Sequence, residues 1–342
     1  EKGWVKNLSS QNQNKQKVAV IGSGPAGMAA SAYLIQNGYQ VDVYEKNDRA
    51  GGLMIYGIPN FKLDKKIVER RTEWLTDSGV VFNLNTEVGK NISFQDLEKD
   101  YDAILIATGV YKARQLDIDT STVNNSIPAL DFLIESNRTG LGDSPSKNKY
   151  LTAKDKHVVV IGGGDTAMDC VRTAIRQQAK EVTCLYRRNK ENMPGSAREV
   201  LNAEQEGIKF NWLSVPSKII SDSATATSMT YKVATLGEVD ESGRRKPIDT
   251  GVEKQIKSDL IIQALGFEPE DLNHNFKTNI ELTSWKTVKV DFKKFQTSNP
   301  KIFAAGDIVR GASLVVWAIH DGREVAKSIH NFLQSSKIKK AS

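Results

Sequence analysis

Two glycine-rich turns carry the chemistry that this sequence can do. The first, Gly22-Ser23-Gly24-Pro25-Ala26-Gly27, directly follows the apolar run Val18-Ala19-Val20-Ile21. The second, Gly162-Gly163-Gly164-Asp165-Thr166-Ala167, directly follows His157-Val158-Val159-Val160-Ile161. Glycines at this spacing, between a buried strand and a helix, serve three ends: a tight turn, close approach of backbone to a pyrophosphate, and close helix–strand packing. The helix that follows offers unpaired N–H groups and its positive dipole end to the phosphates. Ala167 stands where the third glycine would be, a replacement the pattern tolerates. The chemistry implied is the holding of two dinucleotides. The competing reading, a glycine turn with no ligand, does not explain why each turn is framed by two apolar runs with a charged end.

That charged end differs between the two units. Val41 to Tyr44 closes on Glu45, whereas Val182-Thr183-Cys184-Leu185-Tyr186 closes on Arg187-Arg188. A carboxylate there accepts bonds from two ribose hydroxyls and repels a 2′-phosphate. Guanidinium groups pair with that phosphate through charge-assisted bonds. Such bonds are worth roughly 1.5–3 kcal/mol each, or about ten- to a hundredfold in affinity. The first site therefore suits FAD and the second NADPH. A solvated strand end is the alternative for the two arginines.

The elements that must position these groups can be followed along the chain. Residues 1–16 read as a polar arm or linker. The first βαβ unit, residues 17–46, leads into Arg49-Ala50-Gly51-Gly52-Leu53-Met54-Ile55-Tyr56-Gly57-Ile58-Pro59. This apolar loop forms a wall against a flat ring system or packs on the core; its place straight after a nucleotide-binding strand favours the wall. Leu63 to Ser78 has a helical pattern with Ile67, Arg71, Trp74 and Leu75 on one side and Gly79 as its stop. Val80 to Phe82 and Thr86 to Val88 read as a strand and its continuation. Asp102 to Ile106 is a buried strand ending in Ala107-Thr108-Gly109, small residues that let backbone approach a cofactor. Thr120 to Lys149 reads as a connecting region with one helical patch, Ala129 to Leu133. In the second unit, Lys209 to Val215 is a strand and Ser221 to Lys254 an antiparallel hairpin set. Asp259 to Gly266 mirrors Asp102 to Gly109. Phe267 to Lys286 reads as a return linker.

Ile302-Phe303-Ala304-Ala305 is a strand that closes on Gly306-Asp307, a carboxylate placed to bond a cofactor hydroxyl or a helix end. A last helix starts near Ser313. Val315, Ala318, Ile319, Gly322, Val325, Ala326, Ile329 and Phe332 form its core stripe. Leu314, Val316 and Trp317 lie off that stripe, which suits a helix start facing a ring system or, for Trp317, further packing. His320 reads as structural.

Bulk composition narrows the rest. The chain has 342 residues and a net charge of +6 without a dense basic block outside Lys337-Ile338-Lys339-Lys340. That length fits two domains, and the thin charge gives no support for nucleic-acid binding. No apolar run is long enough to span a membrane, and no signal-peptide pattern is present. The first residue is Glu, as in a fragment or processed product. The two cysteines, Cys170 and Cys184, sit in apolar stretches without a Cys-x-x-Cys motif. They exclude a disulfide framework and fit a reducing, cytoplasmic setting. One chain with two cysteines holds no iron–sulfur cluster alone. No residue pattern marks a metal site or a catalytic acid, base or nucleophile.

Taken together, GSGPAG with Glu45, RAGGLMIYGIP, DAILIATG, GGGDTA with the arginine pair, DLIIQALGF, and AAGD followed by GASLVVWAIHDGRE resemble the small (β) subunits of NADPH-dependent glutamate synthases. The resemblance covers nearly the whole chain. It is most specific in YGIPNFKL, NMPGSAREV and SLVVWAI. It implies an α/β fold of two interleaved doubly wound Rossmann-like domains: an FAD domain from 17–118 and 287–342, and an NADPH domain, 150–270, inserted between. It implies FAD contacts at Ser23, Gly24, Ala26, Glu45, Gly52, Leu53, Lys62, Val88, Gly306, Asp307, Ser313, Leu314 and Val315. It implies NADPH contacts at Gly164, Asp165, Thr166, Ala167, Arg187, Arg188, Ala264, Leu265 and Gly266. Members also carry [4Fe–4S] clusters on an N-terminal cysteine-rich region, which this sequence lacks; Gly3-Trp4-Val5 resembles the segment just after it. The implied activity moves hydride from NADPH to FAD. Electrons then pass through clusters on a missing region or partner to the large (α) subunit, for L-glutamate synthesis from glutamine and 2-oxoglutarate. A related reductase feeding a ferredoxin or another oxidoreductase module is the alternative.

Overall fold

The computed structural model describes residues 6–8, 14–239 and 245–341. Gly3-Trp4-Val5 lies outside the described residues, as do the side chains of Lys337 to Lys340. The chain divides into two compact units, each made from separated segments. The first comprises Glu1–Ile55, Leu63–Lys112 and Phe267–Ser342; the second comprises Tyr56–Lys62 and Ala113–Gly266. Both are doubly wound α/β, the class expected.

In the first unit, β1 (Lys17–Ile21) leads through α1 (Pro25–Gln36) to β2 (Gln40–Tyr44). A short α2 (Leu53–Tyr56) runs from the first unit into the second, and α3 (Lys65–Asp77), β3 (Val81–Asn83), α4 (Phe94–Asp100) and β4 (Ala103–Ile106) follow. Four consecutive buried residues in β1 and in β4 suit strands covered on both faces. The Asp64 side chain accepts from Lys66 N–H at 3.0 Å and so starts α3. Gly79, at φ +101°, ends it.

After β5 (Lys112–Ala113) come the elements of the second unit. They are β6 (Ser126–Pro128), α5 (Ala129–Gly140), β7 (His157–Ile161), α6 (Asp165–Arg176), β8 (Glu181–Leu185), α7 (Ala197–Gln205) and β9 (Lys209–Asn211). A long antiparallel set follows: β10 (Ser214–Asp222), β11 (Thr225–Val239) and β12 (Arg245–Lys257). β13 (Leu260–Gln263) closes the unit. The chain then returns with β14 (Phe267–Glu268), α8 (Leu272–Phe276), β15 (Ile302–Ala304), α9 (Asp307–Arg310) and α10 (Val315–Ala341).

The first parallel sheet has the order β15-β4-β1-β2-β3, and the second β6-β13-β7-β8-β9. In each, the strand before the glycine turn has its βαβ partner on one side and a later strand on the other. The crevice beyond the carboxyl ends of β1 and β4, and of β7 and β13, is thus a topological switch point, where open α/β sheets bind ligands.

Several sequence expectations change here. Thr120 to Lys149 is no bare connection: β6 is an edge strand of the second sheet, paired with β13, and α5 is a full helix. Ile127, Ala129, Phe132 and Leu133 join the core of α6 and β7. Likewise, 267–286 carries α8, whose Phe276 stacks on Phe94 with ring centroids 5.2 Å apart. In α3, Val68 and Leu75 face inward and Ile67 is exposed, so the stripe is rotated from the expected one. Lys209 to Val215 splits at Leu213, whose φ of +53° breaks the strand. Val88 makes only an isolated bridge to Ile92. In α10, Leu333 and the fully buried Asp321 belong to the inward face as well. Asp321 is neutralised by Arg310, whose Nε and Nη2 donate to its two carboxylate oxygens at 2.5 and 2.7 Å.

Among the described residues, no helix is long and apolar enough to cross a membrane. No group of three or more His, Cys, Asp or Glu among them could hold a metal ion. Cys170 and Cys184 are buried and unpaired, and burial pushes the Cys184 thiol up to about 12.

Candidate functional site

In the first unit the glycines divide by what surrounds them. Gly22 has φ +104°, and a Cβ there would strike the Ala107 carbonyl. A Cβ on Gly27 would strike the Gly22 carbonyl. These two let strand, turn and helix touch. Gly24 is different: a Cβ there meets nothing within 4 Å. It caps α1 with no side-chain bond, Pro25 has no N–H to satisfy, and the first helical turn closes with Met28 N–H donating to the Gly24 carbonyl at 2.9 Å. Ala26 and Gly27 N–H precede that bond, so the helix start has donors to spare. Gly52, at φ +54°, lies against this turn; a Cβ on it would come 2.9 Å from Gly24 Cα.

Glu45 is 5% exposed and held on both oxygens. Ser23 donates to Oε2 through its backbone N–H (3.2 Å) and its hydroxyl (2.5 Å). Asn47 donates to Oε1 through its backbone N–H (2.9 Å) and its amide (2.8 Å). The Ser23 hydroxyl also accepts from Gly51 N–H at 3.0 Å. Ser23 thereby links the glycine turn, the end of β2 and the Gly51-Gly52 loop. On the other side of β1, Thr108 Oγ1 is buried without a hydrogen-bond partner among the described residues. Gly109 follows it at φ +72°. Gly306, at φ +79°, sits where a Cβ would be 3.0 Å from Ala26 Cβ. The Asp307 carboxyl after it accepts from the Ser313 hydroxyl at 2.9 Å, and burial raises its pKa. Leu314, Val316 and Trp317 stay exposed at the start of α10. Val88 is a core residue.

Of the apolar loop, Ile55 is core, and so is Tyr56 in the second unit. Leu53 and Met54, and Ile58 in the second unit, are the apolar residues of that stretch that keep partial exposure, which leaves these three for the wall reading.

The second unit repeats the division. Gly162, at φ +146°, would strike the Ala264 carbonyl with a Cβ, and Gly163 is covered by the Tyr186 ring. Gly164 is open: a Cβ meets nothing within 4 Å. The loop 193–196 packs on this turn. Gly195 N–H donates to the Gly163 carbonyl at 2.9 Å, and Ser196 N–H donates to Asp165 Oδ1 at 2.9 Å. Ala167 is fully buried, while Asp165 is exposed at the start of α6 with Thr166 beside it. Arg187 is exposed and has no ion pair or hydrogen bond among the described residues; Arg188 donates from Nε to the Arg245 carbonyl at 2.8 Å. Ala264 is buried, and Leu265 and Gly266 are half-buried.

Lys62 belongs to this second unit, whereas the other residues that the resemblance gave to FAD belong to the first. Its ammonium sits 2.5 Å from Asp169 Oδ1 and 2.7 Å from Glu199 Oε2. Arg172 bonds Glu199 and Glu206, Arg176 bonds Glu206, and both guanidiniums lie over the Phe61 ring. Burial pushes Asp169 up to about 6 despite Lys62 beside it. Hydrogen bonds from Arg176 and then Arg172 hold Glu206 at about 2. Asn47, Tyr186 and the Lys62 partners were not singled out from sequence. The stretch Asn192 to Val200 holds Gly195, Ser196 and Glu199, none of which has a role legible in the sequence.

The open space at Gly24 and Gly164, the spare helix-start donors and the orphaned Thr108 hydroxyl all fit a bound dinucleotide at each turn. The pyridine nucleotide-disulphide oxidoreductase family profile matches residues 16–322. The chain belongs to that family. Within it, the chain is a member of the glutamate synthase small chains. It is 49% identical to the glutamate synthase [NADPH] small chain of Azospirillum brasilense over 98% of this chain and 70% of that one. It is 43% identical to that of Escherichia coli K12, over 98% of this chain and 72% of that one. Its fold is similar to that of FprA from Mycobacterium tuberculosis in complex with NADPH, with a TM-score of 0.79 at 19% identity, covering 96% and 86% of the two chains. The protein is an oxidoreductase that uses NADPH and FAD.

Proposed function

We propose that the site from Gly22 to Glu45 holds FAD and the site from Gly162 to Arg188 holds NADPH, so that the terminal segments form the flavin domain and the middle the nicotinamide domain. One contrast supports this reading. Glu45 is a held carboxylate at the end of β2; Arg187 and Arg188 are cations without acid partners just after β8. When bound, NADPH supplies a hydride and FAD accepts it. The chain contributes binding and orientation. Ala26 and Gly27 N–H, and Thr166 N–H in α6, would meet pyrophosphates; Ala167 N–H is already bonded to the Gly164 carbonyl at 2.9 Å. Ser23 keeps Glu45 aimed, and a ribose hydroxyl would compete with the Asn47 amide for Oε1. Thr108 has a hydroxyl available to the cofactor. No side chain needs to act as acid or base for this half-reaction.

From here the electrons would pass through [4Fe–4S] clusters to the large subunit of a cytoplasmic glutamate synthase, which makes L-glutamate from glutamine and 2-oxoglutarate. The names of the relatives support that destination. Anaerobic titration of the FAD-loaded protein with NADPH tests the first step: flavin absorbance should bleach, and unchanged absorbance would refute it. Co-purification tests the destination. Recovery of a large amidotransferase subunit is expected; recovery of a ferredoxin instead would favour a different acceptor.

A further inference from the structure

We propose that Arg245 supplies a third guanidinium to the 2′-phosphate of NADPH, beside Arg187 and Arg188. The proposal rests on the assignment of NADPH to the second unit, and it starts from how β12 begins. The Arg245 carbonyl accepts the Arg188 Nε at 2.8 Å. Leu213 N–H donates to the Arg188 carbonyl at 3.0 Å, and Ala234 N–H on β11 donates to the Leu213 carbonyl at 2.8 Å. The end of β8 is thus braced by the antiparallel sheet, and β12 enters beside Arg188. Val239 on β11 pairs with Arg245. The Arg245 side chain is exposed and, among the described residues, makes only a long contact, 3.4 Å, from Nη1 to the Gly237 carbonyl.

None of Arg187, Arg188 and Arg245 has an ion pair among the described residues. Elsewhere in this unit Arg172 and Arg176 are each matched to glutamates. Guanidiniums brought together without an ion pair to a described carboxylate repel one another, and a doubly charged phosphate would relieve that repulsion. Arg188 has Nε occupied by a backbone carbonyl, which fixes its plane and leaves its two terminal nitrogens for a bidentate contact. The Arg245 backbone lies against the Arg188 guanidinium, so the Arg245 side chain starts within reach of the same phosphate from a different element. The hairpin would therefore take part in telling NADPH from NADH, a role that the strand end alone does not carry.

The carbonyl that holds Arg188 belongs to the Arg245 backbone, so truncating the Arg245 side chain leaves that bond in place. Arg245→Ala and Arg245→Lys in the FAD-loaded full chain should be titrated calorimetrically with adenosine 2′,5′-bisphosphate and with adenosine 5′-monophosphate. Arg245→Ala is expected to weaken the bisphosphate about tenfold and leave the monophosphate unchanged. Arg245→Lys should recover part of the loss. Equal affinity of Arg245→Ala and the parent for the bisphosphate, or the same loss for both ligands, would overturn the proposal. Arg188→Ala separates the two levels: if it discriminates while Arg245→Ala does not, only the third cation fails. If neither discriminates, the NADPH assignment fails with it.

Discussion

Ser23 is the residue on which the first site turns. Its hydroxyl bonds both Glu45 and Gly51 N–H, so one small side chain fixes a carboxylate and a loop. Ser23→Ala leaves a buried N–H without its acceptor and removes a donor from a buried carboxylate. The expected cost is about 1–3 kcal/mol in denaturant unfolding, together with a lower FAD content on purification. In the second site, Arg188→Ala should weaken NADPH about ten- to a hundredfold and leave NADH unchanged by fluorescence titration. Glu45 and the arginine pair were legible in the sequence because each closes an apolar run. Asn47 was not: its amide finds Glu45 only through the turn that follows β2, and a polar residue in a turn has no periodic signal.

At the scale of elements, the parallel strands and both glycine turns were plain, since unbroken apolar runs ending in glycine have few other readings. In the 120–149 stretch only the first part of α5, Ala129 to Leu133, was legible, because the polar run from Glu135 to Gly140 dilutes the rest of the helix, and the three-residue β6 was hidden. The ion-pair clasp was invisible for another reason: Lys62, Asp169, Glu199 and Glu206 are far apart in sequence and meet only in the fold. Its two carboxyl shifts have opposite signs. Asp169 is raised to about 6 from an ordinary 3.8, so the native state binds the extra proton and stability falls as pH rises through 4 to 6. Lys62 offsets that cost once Asp169 is ionised. Lys62→Met should therefore destabilise by about 3 kcal/mol at pH 8 and by clearly less at pH 5, measured as unfolding midpoints at both values. Glu206 is depressed to about 2 from 4.5, so its contribution is present above pH 4.5 and is lost as pH falls toward 2. Glu206→Gln should flatten the acid limb of the stability profile below pH 4.5; an unchanged limb would contradict this origin.

At the scale of the whole molecule, each unit is completed by chain that returns from elsewhere in the sequence. In the first, α10 packs on α1, and a Cβ on Gly322 would strike the Ala26 carbonyl and come 3.0 Å from Ala29 Cβ. Gly322→Ala should cost about 1–3 kcal/mol by overpacking, although it lies far along the chain from the glycine turn. In the proposed function, the two open glycines mark two different cofactor sites. Gly24 and Gly164 have room for a methyl group in the protein itself, with ordinary negative φ of −65° and −89°. Alanine at either position should leave the thermal midpoint nearly unchanged and fill the space a pyrophosphate needs. The decisive measurement is the equilibrium affinity of each variant for FAD and for NADPH. Gly24→Ala should lose FAD at least tenfold and keep the NADPH affinity of the parent, and Gly164→Ala should do the reverse. Loss of NADPH binding in Gly24→Ala with FAD retained, or full binding of both cofactors by both variants, would contradict it.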